Sequence, residues 1–454
     1  MIDVDEDWQQ QVLEVHNIKS LKFSDLGSSS DGQSDPNPAF WERTRPFLGT
    51  LSSLRNVNDI SLDMSKDPST YSTMLQHVPI TKLTVDYEDD WTPRLNMWPT
   101  TLTHLTLNGM FDCSLNNALP PCLKELDMMY TTIWDMPITP GGLPATLELL
   151  YLGQRFNQPI LPSALPPALK TLFVGSMFNQ PLDQPGQLPA SLTSLDTSFS
   201  KHFNKTLNNL QAKLTDLSLC SSFQHSIDSP HLETLYIGWS HFMFTPEAIY
   251  TRLTTLSLSQ TSRALIASIT SRAFPSLCDC SIHGIYDADC ESPLDMTHLP
   301  LTLTRLYTNA YGPIVLPQGI QRLDLMCSSA DFVLVPGMIP ESVTALRLLK
   351  YWHKLDVTAI PTTSLRMLAI EAYGSLTVPL RMLPPRTSNV NHVVQPILDH
   401  LSTTLASITS FILPIGGRDI YQLTRISDTL FFRHSIQLSV CGFVHLDELR
   451  KADT

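Results

Sequence analysis

The chain has 454 residues, of which 43% are hydrophobic and 16% are charged, and its formal net charge is −13. This composition is typical of a folded rather than a disordered protein. The negative charge argues against general binding to nucleic acid or to an anionic membrane surface, since both require clustered positive charge. We therefore expect neither as a partner.

The N-terminal sequence MIDVDEDWQQQ is acidic and lacks the apolar segment of a secretory signal. No apolar run approaches the roughly 20 residues that a membrane-spanning helix needs. The eight cysteines are scattered along the chain, whereas a disulfide-built secreted domain is short and rich in cysteine. These features predict a reducing, cytoplasmic or nuclear setting, and we assign the chain to the cytoplasm.

The strand-like segment 18–23 comes almost at the start of the chain, and no convincing cap precedes it. This position suggests that the chain begins inside a longer protein. A polar insertion follows at about 24–46 and contains GSSSDGQSDPNP. We expect a flexible loop there, with a short helix starting at Asn37-Pro38.

A leucine motif, L-x-x-L-x-L with Ile, Val or Met variants, recurs sixteen times. Between the copies at Leu102 and Leu214 the steps are 21, 24, 22, 23 and 22 residues. Repetition at such a short period indicates a solenoid, in which each repeat forms one turn, or rung. The copies begin at Ile18, Val57, Ile80, Leu102, Leu123, Leu147, Leu169, Leu192, Leu214, Leu232, Leu253, Leu277, Leu303, Ile320, Val343 and Leu365.

Alternation within the motif predicts a short strand whose apolar side chains point inward. A proline stands three residues before several first leucines, as in Pro120 and Pro144, and fits a turn into the strand. The remaining ten or so residues of each repeat are rich in Pro and Ser and favour an irregular return. The predicted fold is a leucine-rich-repeat-like solenoid over 1–385, with one long parallel β-sheet of about sixteen short strands and few helices.

Two adjacent repeats have nearly the same sequence pattern, LPATLELLYLGQRFNQPI at 143–160 and LPPALKTLFVGSMFNQPL at 165–182. Their F-N-Q-P endings and LPxxLxxLxLG lead-in closely resemble the FNIP repeat family, which is related to leucine-rich repeats. The resemblance is clear again in 188–207 and weakens on both sides. It implies a repeat scaffold, and family members sometimes carry an F-box or a kinase domain, neither of which this sequence shows.

One phenylalanine per repeat, at Phe156, Phe178 and Phe203, could form either a site or a structural element. We interpret these residues as a stacked spine inside the solenoid, because residues at the repeat period belong first to the scaffold. The asparagine that follows each one should bind backbone groups in the turn.

From about residue 386 the repeat is lost, and we predict a C-terminal cap over 386–454. Apolar residues at helical spacing behind Pro396 predict a helix that extends to Ile408. The segments YQLTRI and LFFRHSIQLSV then predict strands.

Only one cluster of residues resembles a metal site, namely Cys278-x-Cys280 with His283 and Cys290. Cys280 occupies an inward leucine position of its repeat, so its thiol should be buried, and no second cysteine pair stands at zinc spacing. We expect no metal and no cofactor. No G-x-S-x-G elbow or kinase signature is present, and we expect no enzymatic activity.

The outward strand positions carry the most information about partners. The central outward row includes acids and aromatics, with Tyr151 and Phe173 on neighbouring rungs. Either this row is an ordinary solvated surface or it is a binding face, because clustered exposed aromatics are enriched in interfaces. The predicted partner-binding residues are Asp127, Tyr151, Phe173, Asp196, Tyr236 and Tyr307.

Two classes of function remain. The favoured one is a monomeric, non-catalytic scaffold that binds an unknown protein partner on the exposed sheet face. The alternative is the substrate-receptor part of a ubiquitin ligase, which requires an F-box upstream of Met1. Fold alone does not choose between them.

Overall fold

A computed structural model describes residues 20–23, 59–64, 80–87, most of 98–371, 391–415, 419–435 and 441–452. The exceptions inside 98–371 are 111, 208–209, 211–212, 228, 239–241, 246, 286–291, 311, 328–331 and 352–354. The chain divides into two compact units, residues 1–231 and 232–454. In the described ranges, no helix is long and apolar enough to cross a membrane.

The first unit contains a ladder of nine parallel strands, each paired with the next in sequence. The pairing joins equivalent repeat positions, so that Leu150 lies between Leu126 and Leu172. The strands are β1 (Ser20–Phe23), β2 (Asp59–Met64), β3 (Lys82–Tyr87), β4 (His104–Gly109), β5 (Glu125–Asp127), β6 (Leu149–Tyr151), β7 (Thr171–Phe173), β8 (Ser194–Asp196) and β9 (Asp216–Leu219).

The second unit contains a further parallel ladder that ends in an antiparallel meander. Its strands are β10 (Thr234–Ile237), β11 (Thr255–Leu258), β12 (Asp279–Ile282), β13 (Leu294–Asp295), β14 (Arg305–Ala310), β15 (Ile314–Val315), β16 (Arg322–Cys327), β17 (Ala345–Leu349), β18 (Met367–Glu371), β19 (Ser410–Ile415), β20 (Asp419–Arg425), β21 (Leu430–Ser435) and β22 (Cys441–His445). Strands β13 and β15 pair only with each other. The described helices are α1 (Arg263–Ala267), α2 (Asn391–His400) and α3 (Leu446–Ala452), with a 3-10 turn at Val357–Ala359.

Each of the sixteen predicted motifs contains one strand of a parallel ladder. The predicted fold, a leucine-rich-repeat-like solenoid with short parallel strands and few helices, is confirmed. The insertion predicted at 24–46 lies outside the described residues, as does the predicted domain boundary at 385.

In several repeats, the turn into the strand is closed by backbone and hydroxyl hydrogen bonds. The Pro144 carbonyl accepts from the Leu147 N–H at 3.1 Å, and Pro166 and Leu169 form the same bond. The hydroxyl just before the first leucine also helps, because Thr146 Oγ1 donates to the Leu123 carbonyl of the previous rung at 2.7 Å. Proline suits this turn because only its carbonyl is required, not the N–H that it lacks.

The aromatic spine is buried, as predicted. Trp134, Phe156, Phe178, Phe203 and Phe223 stack in that order, with ring centroids 5.2, 6.0, 6.0 and 6.2 Å apart. All five side chains are at most 1% exposed. Burial of one large ring per rung gives these five rungs an apolar contact from each to the next.

The asparagines behind the spine bind backbone groups, also as predicted. Asn157 Oδ1 accepts from the Asn179 N–H at 2.9 Å, and Asn204 Oδ1 accepts from the Gln224 N–H at 3.0 Å. The row is interrupted at Asn179, whose buried Oδ1 has no hydrogen-bond partner among the described residues. Phe203 follows Phe178 by 25 residues, whereas Phe178 follows Phe156 by 22, so the longer repeat moves the next N–H out of register.

The predicted C-terminal helix is wrong in its bounds. Helix α2 begins at Asn391, contains Pro396 and ends at His400. The remaining apolar residues of the pattern belong to another rung, because Ile408, Phe411 and Leu413 repeat the leucine motif and β19 pairs in parallel with β18. The two patterns overlapped in sequence and were interpreted as one helix. The strands predicted from YQLTRI and LFFRHSIQLSV correspond to β20 and β21.

Candidate interaction site

The central outward row is continuous in each unit. In the first unit, strand pairing aligns equivalent positions from Lys22 to Ser218, and in the second unit from Tyr236 to Arg347, after which the equivalent Ala369 is buried. Of the six residues predicted to bind a partner, the structure brings four together on consecutive strands of the first unit. The other two lie in the second unit.

The centre of the first group is an aromatic pair. The rings of Tyr151 and Phe173 stack with centroids 4.2 Å apart and planes 16° apart, and both side chains are half-buried. Partial burial raises the pKa of the Tyr151 hydroxyl above its ordinary value. The negative charges of Asp127, Glu125 and Asp196 raise this pKa further.

The two aspartates that flank the pair also hold their own turns. Asp127 Oδ1 accepts from the Met129 N–H at 2.9 Å, and Asp196 Oδ1 accepts from the Ser198 N–H at 2.7 Å. Each carboxylate is thus fixed next to the aromatic pair, Asp127 beside Tyr151 and Asp196 beside Phe173. The pair therefore lies between two negative charges that are held in place by the backbone.

The sequence analysis missed Leu149, which enlarges the apolar surface. It occupies the first outward position of β6, where the neighbouring strands place Glu125 and Thr171, and it is half-buried. The sequence feature that could have revealed Leu149 is an aliphatic residue at a repeat position where the adjacent repeats have polar residues. We define the face patch as Leu149, Tyr151 and Phe173 with their flanking Asp127 and Asp196.

The tyrosines of the second unit do not form a comparable patch. Tyr236 lies beside Ser257, and two strands separate it from Tyr307. The Tyr307 ring packs on His283 with centroids 4.2 Å apart, and its hydroxyl lies 3.5 Å from Met326 Sδ. Burial lowers the pKa of His283, which favours the neutral ring against the tyrosine.

The arginines near Tyr307 are already paired with carboxylates. Arg305 Nη1 lies 3.3 Å from Asp279 Oδ2, and Arg322 Nε lies 3.4 Å from Asp324 Oδ2. Arg347 Nε is 4.0 Å from the other Asp324 oxygen, and the Asp324 side chain is only 16% exposed. Charges satisfied within the chain offer less to a partner than the aspartates of the face patch.

Of the described members of the cysteine cluster, Cys280 belongs to the core, whereas Cys278 and His283 are half-buried. Cys280 is fully buried between Leu256 and Leu306 of the neighbouring strands, and burial raises its pKa to about 12. Cys290 lies outside the described residues. Among the residues that are described, no three His, Cys, Asp or Glu side chains are grouped so as to hold a metal ion.

Comparison with a family model supports the repeat assignment in the middle of the first unit. Residues 134–177 and 156–202 match the FNIP Repeat family model. A solved structure described as CroV588, a novel circular LRR protein, is similar with a TM-score of 0.47 and 19% identity over 74% of this chain. The match covers 55% of that chain, so this chain spans about half its length. No curated protein matches the sequence significantly.

Proposed function

We propose that this protein, whose residues 134–202 are FNIP repeats of a leucine-rich-repeat-like solenoid, is a non-catalytic scaffold that binds a protein partner on the face patch. A repeat solenoid presents a long, regular surface and is typical of interaction proteins. The fold does not select the docking face, so the choice rests on the side chains.

The observation that carries the proposal is the stacked, half-buried pair of Tyr151 and Phe173 between fixed aspartates. Aromatic side chains bury large areas at a low cost in conformational entropy and dominate binding energy in many interfaces. Carboxylates on both sides favour a partner whose apolar anchor is flanked by Lys or Arg.

The test is capture of partners from native cells by crosslinking and mass spectrometry, with wild-type protein and three variants. Tyr151→Ala plus Phe173→Ala should lose an identified partner, while Val333→Ala plus Val335→Ala, an exposed apolar pair of the second unit, should retain it. The third variant, Tyr236→Ala plus Tyr307→Ala, tests the remaining predicted residues. Thermal unfolding of each variant must match wild type.

Retention of every partner by the Tyr151 and Phe173 variant would place the docking face elsewhere. A ubiquitin-ligase subunit among the captured partners, lost together with a substrate, would favour the alternative of a substrate receptor. Enzymatic turnover of a captured partner by the purified chain would contradict the scaffold assignment.

A further inference from the structure

The turns that follow β5 and β8 differ from those that follow β6 and β7. Trp134 follows Asp127 by seven residues, and Phe203 follows Asp196 by seven. In the two rungs between them the turn is shorter. After β6, Phe156 follows Tyr151 by five residues, and Gly153 opens the turn. The repeat after β7 has the same five-residue spacing. Two longer turns thus bracket two short glycine turns.

Each longer turn holds an aromatic side chain in solvent. Tyr130 and Phe199 are 61% and 62% exposed, although each is followed by a fully buried hydroxyl residue, Thr131 or Ser200. Hydrogen bonds fix both turns: the Thr131 N–H donates to the Met128 carbonyl at 2.9 Å, and the corresponding Ser200 bond is 3.0 Å.

The two turns share one local sequence, Asp-x-x-aromatic-Ser/Thr. The aspartate accepts a hydrogen bond at the start of the turn and the hydroxyl residue anchors its end. A rigid turn that exposes a large ring leaves apolar area in water without a gain for the fold. Such exposed aromatics are a mark of interaction surfaces.

The spacing limits what can contact both rings. Strands β5 and β8 are three rungs apart, which is about 14 Å at the usual ~4.8 Å between strands. An α-helix with its side chains is about 10–12 Å across, and therefore fits between the two longer turns over the short ones. A single extended segment that runs parallel to β6 and β7 is too narrow to reach both Tyr130 and Phe199.

The charges agree with one kind of helix. An occupant that lies over β6 and β7 meets the apolar face patch beneath it and has Asp127 on one flank and Asp196 on the other. Its stripe must be apolar, with residues at helical spacing, and both borders of the stripe must carry Lys or Arg.

We infer that the partner segment, if docking occurs at the face patch as proposed above, is an amphipathic α-helix with basic residues on both borders of its apolar stripe, held between Tyr130 and Phe199. Tyr151 and Phe173 form the floor of this site, and the two rings of the longer turns form its sides.

The experiment is selection of random 20-residue displayed peptides on the full chain, with removal of those that also bind the Tyr151→Ala plus Phe173→Ala variant. The expected consensus has apolar residues at i, i+3, i+4 and i+7 with Lys or Arg beside them. Synthetic peptides of that consensus should gain helical circular dichroism on binding. A central proline should abolish their binding.

Tyr130→Ala plus Phe199→Ala should weaken the binding of these peptides about tenfold or more. The matched control, Met243→Ala plus Ile249→Ala in the second unit, removes similarly exposed apolar side chains and should leave affinity unchanged. Selected peptides with apolar residues at every second position, with acidic borders, or with no response to the Tyr130 and Phe199 change would overturn the helix inference but leave the docking face intact. Failure to select any peptide whose binding needs Tyr151 and Phe173 would instead contradict the proposed docking face itself.

Discussion

Phe156 and Phe178 lie almost parallel in neighbouring repeats, with ring centroids 6.0 Å apart and ring planes 4° apart. Neither side chain is exposed. The contact joins two rungs on the side away from the sheet, where no strand ladder connects them. Spine and sheet thus hold these two repeats together at two separate places.

Phe178→Ala should therefore lower the free energy of unfolding by about 3–5 kcal/mol, the usual cost of removing a buried aromatic ring. Solenoid unfolding need not be two-state. The measurement should therefore combine chemical denaturation with hydrogen exchange of the backbone amides in the repeat at 165–182. Phe199→Ala is the matched control, because that ring is 62% exposed and its loss should change stability little. An unchanged unfolding transition for Phe178→Ala would contradict a structural role for the spine.

Gly175→Ala should destabilise the same region through a backbone clash. A Cβ at residue 175 would lie 1.9 Å from the Gly153 carbonyl oxygen, and backbone cannot move aside as a side chain can. Overpacking of this kind costs about 1–3 kcal/mol. Gly442→Ala is the control, because a Cβ there has no heavy atom within 4 Å among the described residues. Equal unfolding curves for the two variants would show that the rungs can separate without penalty.

Arg425→Met should loosen the C-terminal part of the second unit. The Arg425 guanidinium donates to the carbonyls of Ile408, Leu401 and Leu405 at 2.8, 2.7 and 3.1 Å, and it lies 5.0 Å from the centre of the Phe431 ring. Methionine keeps the apolar stem but leaves these carbonyls without a donor.

The expected loss for Arg425→Met is at least about 2 kcal/mol, since a hydrogen bond to a charged group contributes about 1.5–3 kcal/mol. Arg252→Met is the comparison, because Arg252 pairs with Glu233 at 3.0 Å while its side chain is 57% exposed. That exposed pair should contribute about 1 kcal/mol or less. Similar effects of the two substitutions in urea denaturation would show that Arg425 does not hold the C-terminal strands.

Inward positions could be predicted from sequence because burial restricts them to apolar residues at every rung. The leucine motif therefore gave the strand positions and their register, and Cys280 was correctly assigned to the core. Trp134 was missed because it replaces phenylalanine in WDMPI, although it stands 22 residues before Phe156. The seventeenth motif was missed because Ile408 and Phe411 replace leucines beside an apparent helical pattern.

Outward positions carry no comparable restriction, because solvent accepts many side chains. The alignment of Tyr151 with Phe173 followed from repeat spacing alone, but Leu149 and the exposed turn aromatics did not. The exposure of Tyr130 and Phe199 depends on two extra residues in each turn and on the hydroxyl that anchors it. Such information is specific to one repeat and does not appear in the average pattern.

Buried thiols should respond to pH in a direction set by their environment. Burial raises the pKa values of Cys280 and Cys327 from 9.0 to about 12. The neutral thiol is favoured in the folded state, so this contribution to stability is complete below pH 9 and is lost as pH rises from about 9 to about 12. Unfolding by urea should become easier over that interval.

Alkylation measures the same difference directly. At pH 8, iodoacetamide should modify the exposed Cys122 and Cys441 quickly and Cys280 and Cys327 slowly, as followed by mass spectrometry. After denaturation all eight cysteines should react, and elemental analysis should show no stoichiometric zinc. Rapid labelling of Cys280 in the native protein would contradict its placement in the core.

The aspartates of the face patch should act mainly on the rate of association. Asp127→Asn plus Asp196→Asn removes two charges but keeps the side-chain oxygens that accept the Met129 and Ser198 N–H groups, so the turns should remain intact. Charges at the rim of an interface steer encounter more than they hold the complex together. Surface-plasmon measurements with a captured partner should show slower association, a weaker dependence of that rate on salt, and a nearly unchanged dissociation rate. Glu247→Gln plus Asp399→Asn removes the same charge from the second unit and should leave all three quantities unchanged. If the two double variants slow association equally, the effect comes from the net charge of the chain, and the carboxylates beside Tyr151 and Phe173 have no special part in recognition.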